Sequence, residues 1–302
     1  MKTDSSKTKA GIFLAVLAAA LYAINAPCSK VLLEYMPSTL MAGLLYLGAG
    51  LGMVVLFLVR KATRTGQAES GLTRAELPYT IAMILLDIAA PVLLLFGLKT
   101  TSAANASLLN NFEIVATALI ALAVFREKIS ARLWLGILFV TASCLVLSVE
   151  GSGSFAFSPG SLFILLACVC WGLENNCTRK LSARDPLQIV LLKGIFSGGG
   201  SLVIGLCIGE RIEYWWSVPA VLAVGLVAYG MSIYFYVYAQ RKLGAARTSA
   251  YYAVAPFIGT GLSLMIFRGL PQVTYYIGLG LMMIGGWLSS SDQPLFRKKK
   301  ES

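Results

Sequence analysis

The chain has 302 residues, of which 57% are hydrophobic and only 13% are charged. Roughly a quarter of the residues in soluble globular domains are charged, so this composition excludes an ordinary soluble domain and indicates a protein that lies in a lipid bilayer. The formal net charge is +11, but the Lys and Arg residues lie in short segments between apolar stretches, an arrangement that argues against a nucleic-acid-binding face.

The first apolar stretch, Gly11 to Leu33, is too long for the core of a signal peptide, which has about 7 to 15 residues. It is therefore interpreted as a retained first helix. Crossing about 30 Å of hydrocarbon takes about 20 apolar residues, and this length predicts an all-α membrane protein of ten transmembrane helices. The predicted spans are residues 10–33, 38–59, 77–98, 102–125, 132–149, 160–181, 187–208, 218–240, 246–267 and 273–290.

Basic residues are concentrated in alternate connections between these spans. Cytoplasmic loops of membrane proteins are enriched in Lys and Arg, and one side of the predicted topology holds nearly all of the basic loop residues together with both termini. The opposite side holds only Lys99, Arg211 and Arg268. This asymmetry predicts a multi-pass protein of the cell inner (plasma) membrane with both termini in the cytoplasm.

The two halves of the chain repeat one another. Adding 149 to the numbers of the first helix aligns Tyr22 with Trp171, Asn25 with Glu174 and Cys28 with Cys177. Adding 142 further along aligns Asp87 with Tyr229 and Ser107 with Ser249. The predicted domains are residues 1–150 and 151–302, with five helices each. Because five is odd, the repeats are expected to be inverted, as in transporters that work by alternating access.

The segment Ala103 to Ser130, AANASLLNNFEIVATALIALAVFREKIS, resembles the fourth helix of the EamA-like family in the drug/metabolite transporter (DMT) superfamily. The likeness rests on the Ala-rich start, the mid-helix Glu113 and the terminal Glu127 after a basic residue, and it extends along the whole chain. Proline usually follows the glutamate in that family, whereas here Ile114 does, and the second half keeps Pro256 at the matching place. The resemblance implies a ten-helix transporter without ATP hydrolysis, whose cavity is lined mostly by helices 1, 3, 4, 6, 8 and 9.

The sequence predicts neither a cofactor nor a metal site. There is no GxxxxGK[ST] phosphate-binding loop, so the gradient of a solute or ion is the expected energy source. Histidine is absent, and the cysteines have no metal-ligand or disulfide-framework spacing. The six cysteines are Cys28, Cys144, Cys168, Cys170, Cys177 and Cys207.

Three acidic residues lie deep inside predicted spans, where ionisable side chains are costly and functional by default. Asp87 precedes Pro91 by one turn, and Glu113 shares a helix face with Ser107 and Asn110. Glu174 lies within one turn of Trp171, which offers a cation–π face, and its repeat partner Asn25 is expected beside it at the centre. The alternative is that these carboxylates only hold helices together. The candidate substrate-binding residues here are Asn25, Asp87, Asn110, Glu113, Trp171 and Glu174.

Tyrosines add three more candidates in the eighth and ninth helices: Tyr229, Tyr234 and Tyr252. They are expected to touch substrate, with simple packing as the alternative. Lys193 lies about one and a half turns from the cytoplasmic end of the seventh helix, so its long side chain is expected to reach the membrane surface.

These features predict a secondary transporter, more specifically an exporter, of a small cationic or zwitterionic metabolite such as an amino acid or amine. The expected partners are the small-molecule substrate, the lipid bilayer and protons as candidate coupling ions, with no nucleic acid, and the protein is expected to be a monomer or weak homo-oligomer. The alternative is a membrane receptor or scaffold, or an intramembrane enzyme. The short loops and the lack of a nucleophile paired with a base or metal argue against these alternatives, so the chain is not expected to be an enzyme.

Overall fold

The fold was analysed in a computed structural model, which describes residues 2–63, 70–125, 130–148, 158–181, 184–243, 251–252, 254–268 and 273–289. Every regular element in these ranges is helical, so the all-α fold is confirmed. Basic residues of the charge argument at 64, 126, 128, 247 and 297–300, and the proposed domain boundary at residue 150, lie outside the described residues.

Apolar composition and length form helices along nearly all of the described chain, because a helix satisfies its own backbone hydrogen bonds where no water is available. In chain order the helices are α1 Lys2–Ala23, α2 Asn25–Leu32, α3 Ser38–Ala62, a 3₁₀ turn Arg74–Glu76, α4 Leu77–Thr100, α5 Ala103–Leu109, α6 Phe112–Phe125, α7 Ala131–Ser148, α8 Pro159–Leu181, α9 Pro186–Leu192, a π-helical segment Lys193–Ser197, α10 Gly198–Cys207, α11 Ser217–Val224, a second π-helical segment Gly225–Met231, α12 Ser232–Leu243, α13 Ala255–Phe267 and α14 Val273–Ser289.

Seven helical stretches are long and apolar enough to cross a membrane, and three further apolar helices are shorter. The long ones are Lys9–Leu32, Ser38–Ala62, Arg74–Thr100, Ala103–Val124, Pro159–Leu181, Pro186–Cys207 and Ser217–Ala239, and the shorter ones are Ala131–Leu147, Ala255–Phe267 and Val273–Leu288. The chain is therefore a multi-pass membrane protein. The exact count of ten spans stays a prediction, because the three shorter helices fall below the length of a typical span.

Several of the long stretches are interrupted rather than continuous. The first has a turn at Ile24, ahead of Pro27, and the fourth has a turn at Asn110 and Asn111 between α5 and α6. Helix α13 begins at Ala255 with Pro256 in its first turn. Non-helical backbone at membrane depth is tolerated where it is buried in protein or lines a cavity, so these breaks mark the places where a site is expected.

Glycines let α3 approach its neighbours at backbone distance. A Cβ added at Gly48 would lie 2.2 Å from the carbonyl oxygen of Leu222, and one added at Gly194 would lie 2.3 Å from the backbone of Gly50. Helix–helix contacts of this kind need small residues on the facing surfaces. The crossing at Gly50 and Gly194 consequently fixes the position of the preceding residue, Lys193, against α3.

Candidate functional site

A crevice lies where three helix interruptions meet. The start of α2, the turn between α5 and α6, and the first residues of α13 converge here, and the crevice has about 240 Å³ of empty space, part of it open to the surroundings. Its lining residues are Tyr22, Ala23, Asn25, Ala26, Ser107, Asn110, Ala255, Pro256 and Gly259. Interrupted helices that meet in one place are a common way to build a transport site, because their free backbone groups and polar side chains face the ligand.

Asn25 joins the crevice to the interior of the protein. Its side-chain NH₂ donates to the hydroxyl of Tyr229 at 3.2 Å, and its carbonyl oxygen accepts from the Ser29 hydroxyl at 3.0 Å. Asn25 and Tyr229 are both almost fully buried. A buried amide held from two sides is fixed in orientation, so Asn25 presents a defined polar group at the inner wall of the crevice.

A charged cluster lies inside the helical bundle and contains two of the predicted carboxylates. The ammonium nitrogen of Lys193 donates to Glu174 Oε1 at 2.5 Å and lies 3.3 Å from Asp87 Oδ2. The Tyr46 hydroxyl donates to Asp87 Oδ1 at 2.8 Å, and the Thr178 hydroxyl donates to Glu174 Oε1. These contacts join α3, α4, α8 and the first π-helical segment, so the cluster connects helices from both halves of the sequence.

The predicted surface position of Lys193 is wrong. The residue is 5% exposed, and its ammonium group points to Asp87 and Glu174 instead of the membrane surface. Its distance from the helix end allowed either arrangement, and the two carboxylates that bind it come from other helices, Glu174 from α8 and the more distant Asp87 from α4. The sequence did contain a signal for this ion pair: one apolar span carries a lysine, and other spans carry acidic residues.

Glu113 has a different environment from the other two carboxylates. It is only partly buried, and its Oε1 accepts from the side-chain NH₂ of Asn175 at 2.6 Å. The same NH₂ group lies 3.4 Å from the Thr117 hydroxyl. Among the described residues Glu113 forms no ion pair, so its carboxylate is held by neutral partners and remains able to accept a cation.

Tyrosine rings connect the crevice with the charged cluster. The ring centroids of Tyr46 and Tyr229 are 5.1 Å apart, and those of Tyr229 and Tyr22 are 6.1 Å apart. Tyr22 in turn lies 5.9 Å from Tyr252. Tyr46 binds Asp87 and Tyr22 lines the crevice, so two ring contacts lie between the two sites.

The remaining candidate residues lie in different parts of the structure. Asn110 lines the crevice, and Trp171 is buried in the main hydrophobic core. Tyr234 packs beside Tyr238 and Leu187, in a separate cluster that the described contacts do not connect to the crevice. Asn25 and Glu174, expected as neighbours, have separate partners. Sequence reasoning missed Tyr46, Tyr22 and Asn175, whose polar groups complete the two sites.

Within the described ranges, no group of three His, Cys, Asp or Glu residues is arranged to hold a metal ion.

The chain matches the EamA-like transporter family over residues 9–149 and again over residues 158–291. It belongs to the EamA-like transporter family, within the DMT superfamily. The resemblance carried by Ala103 to Ser130 is thereby confirmed, and membership identifies a multi-pass membrane protein of a transporter family, for which a small-molecule substrate is expected.

Relatives of this EamA-like protein are also named as transporters. An uncharacterized transporter of Methanothermobacter thermautotrophicus is 26% identical over 293 residues, which cover 91% of this chain and 84% of the relative. The uncharacterized transporter YyaM of Bacillus subtilis is 23% identical, with 84% and 86% covered. A solved protein structure aligns with a TM-score of 0.65 at 20% identity, over 94% of this chain and 96% of that one, and so shares the fold.

Proposed function

We propose that this EamA-like protein is a secondary transporter that exports a small cationic or zwitterionic metabolite, such as an amino acid or amine, across the plasma membrane by alternating access. The observation that carries the proposal is the crevice at three interrupted helices, with the partly buried Glu113 and the charged cluster in the same helical bundle. Names of the relatives agree with transport but give no substrate.

Inverted five-helix repeats are part of this proposal, and the packing of the helices supports them. Helix α4 packs along α8, and α1 packs along α12. In the proposed repeats α4 corresponds to α12 and α8 corresponds to α1, so each pair is the counterpart of the other. The pairs α6 with α8 and α1 with α13 are related in the same way, and α7 packs against α14, its own counterpart. An arrangement of this kind lets the two halves exchange conformations around a central site.

Charge supports a cationic or zwitterionic substrate. Asp87, Glu174 and Glu113 bring three carboxylates into the bundle, and Lys193 neutralises one of them. Of the three acidic residues, Glu113 is the proposed contact for a substrate ammonium, because it is partly buried and its partners among the described residues are neutral. Crevice amides at Asn25 and Asn110 are proposed to hold a polar group on the remainder of the solute.

The small size of the crevice supports a movement of the surrounding helices during transport. The crevice leaves only about 10 Å³ for the centre of a water-sized molecule, which is about enough for one water and too little for a metabolite. An amino acid enters only when the helices around the crevice separate. We also propose that protons are the coupling ion and that both termini lie in the cytoplasm. The transporting unit is proposed to be a monomer or weak homo-oligomer.

The experiment is solute flux in liposomes that contain the purified protein. Labelled amino acids, monoamines, polyamines and organic anions are compared with and without an imposed pH gradient, and protein-free liposomes are the control. We expect saturable flux of one cationic or zwitterionic group that responds to the pH gradient. Flux of anions alone would contradict the proposed substrate class, and flux that ignores the pH gradient would contradict proton coupling.

A further inference from the structure

The charges of the cluster formed by Asp87, Lys193 and Glu174, which we call the triad, do not balance. Two carboxylates face one ammonium group, and the three residues are 1%, 5% and 4% exposed, respectively. With both acids ionised the triad carries one excess negative charge inside the bundle. Burying an uncompensated charge is among the most costly events in a protein interior, so a further positive charge is required.

Neutral donors already surround the triad but do not remove this charge. Tyr46 of α3 donates to Asp87, and Thr178 of α8 donates to Glu174. Among the described residues, the other ionisable groups within electrostatic reach are Glu113 of α6, Cys177 of α8 and Tyr229 of the second π-helical segment. Glu113 adds negative charge, and none of these groups supplies a cation.

One oxygen of the triad identifies where the missing charge is bound. Asp87 Oδ2 is completely buried and has no hydrogen-bond partner in the described part of the chain. The ammonium of Lys193 lies 3.3 Å from it and is closer to Glu174, at 2.5 Å. Glu174, with two donors on the same oxygen, is therefore the ionised partner of Lys193, and Asp87 is the carboxylate left without full compensation.

From this geometry we propose that the triad is a site for one proton, which is bound by Asp87 and held next to the Glu174–Lys193 ion pair. The three side chains are in direct contact and almost fully buried, which suits a proton rather than a metabolite. When the proton leaves, the Asp87 carboxylate becomes ionised and attracts Lys193 away from Glu174, so that Lys193 is a positioning residue shared by two carboxylates. This inference deepens the proposed function, since it assigns the coupling proton to Asp87 and leaves Glu113 for the solute.

Proton release at the triad has a direct route of action on the crevice. Tyr46 binds Asp87, contacts the ring of Tyr229, and Tyr229 accepts a hydrogen bond from Asn25 at the crevice wall. A change of charge on Asp87 alters the strength of the Tyr46 hydrogen bond, because a hydrogen bond to an ionised acceptor is roughly twice as strong as one to a neutral acceptor. The triad and the crevice are thus connected by three consecutive contacts.

The test is infrared spectroscopy of the purified protein during a pH titration, without any substrate. A protonated carboxylic acid has a C=O stretching band that a carboxylate lacks, and we expect such a band near neutral pH in the unmodified protein. Asp87→Asn is expected to remove it, because the amide leaves a balanced Glu174–Lys193 pair. Glu174→Gln is expected to remove it as well, because Asp87 then ionises against Lys193.

Glu113→Gln is the matched control and is expected to keep the band of the triad. A band that persists in both Asp87→Asn and Glu174→Gln, or that disappears only in Glu113→Gln, would overturn the proposal. The absence of any protonated-acid band in the unmodified protein near neutral pH would also overturn it. Since no substrate is used, a protein with this band but without solute flux would refute the proposed function and leave the proton site intact.

Discussion

Lys193 and Glu174 form an ion pair of 2.5 Å between the first π-helical segment and α8, with Asp87 of α4 as a second partner at 3.3 Å. The pair is nine-tenths buried or more, so water cannot replace either partner. The two contacts tie α4 to α8 and the first π-helical segment, although Asp87 lies 106 residues before Lys193 in the sequence, and they determine which carboxylates are available to a solute.

The first prediction concerns the stability of the triad. Lys193→Met leaves the ionised Glu174 carboxylate buried without a cation, and we expect it to lower the free energy of unfolding by about 3–5 kcal/mol. Glu174→Gln keeps the Asp87–Lys193 pair and is expected to cost less. The measurement is thermal unfolding of each variant in the same detergent.

Lys99→Met is the matched control for this prediction, because Lys99 is exposed and its ammonium group lies over the ring of Phe96 at 5.0 Å. We expect its effect to stay below about 1 kcal/mol. Combining Lys193→Met with Glu174→Gln should recover part of the stability that Lys193→Met loses. Equal effects of Lys193→Met and Lys99→Met would show that the buried ion pair does not form.

The second prediction concerns the solute contact. Glu113→Gln is expected to weaken binding of the transported solute about tenfold or more, which corresponds to about 1.4 kcal/mol, because the charge that attracts the substrate ammonium is lost. The fold should be retained, since glutamine can still accept from Asn175. Thermal shift of the purified protein across a solute concentration series measures the affinity, and Glu34→Gln, at an exposed carboxylate, serves as control. Unchanged affinity in Glu113→Gln would remove Glu113 from the site.

The third prediction uses two glycines of the seventh predicted span. A Cβ at Gly194 meets the backbone of Gly50 at 2.3 Å, whereas a Cβ at Gly199 meets nothing within 4 Å. Gly194→Ala is therefore expected to destabilise the protein by about 1–3 kcal/mol through overpacking. Gly199→Ala should be neutral or stabilising by about 0.5–1 kcal/mol, since alanine favours a helix more than glycine does. Equal melting temperatures of the two variants would contradict the close crossing of α3 and the first π-helical segment.

The fourth prediction tests the link between the crevice and the interior. Tyr229→Phe removes the hydroxyl that accepts from Asn25 and leaves a buried NH₂ without its partner, which costs about 1–3 kcal/mol. We expect lower stability and slower flux in liposomes. Tyr276→Phe, at an exposed ring of α14, is the control and should match the unmodified protein in both measurements. Normal flux in Tyr229→Phe would show that the Asn25–Tyr229 contact has no part in transport.

Much of the site followed from the cost of placing polar groups in hydrocarbon. Asp87 and Glu174 are buried and paired inside the bundle, as that cost requires, and Asn25 and Asn110 line the crevice. The position of Tyr234 did not follow from this cost, because a tyrosine ring packs equally well in a cluster near a helix end. It lies beside Leu187 and Met53, away from the crevice.

By itself, the sequence determined that this protein lies in a lipid bilayer, that it is helical and which family it belongs to. The length and apolar content of each segment decide whether it can lie in a bilayer, and these are local properties of the chain. Only the tertiary structure decided which polar groups meet. Lys193 has the same composition around it whether it reaches the surface or turns inward, and the choice depends on the crossing of Gly50 with Gly194 and on carboxylates from two other helices. Pairing between distant helices is a property of their packing, and no local pattern of residues contains it.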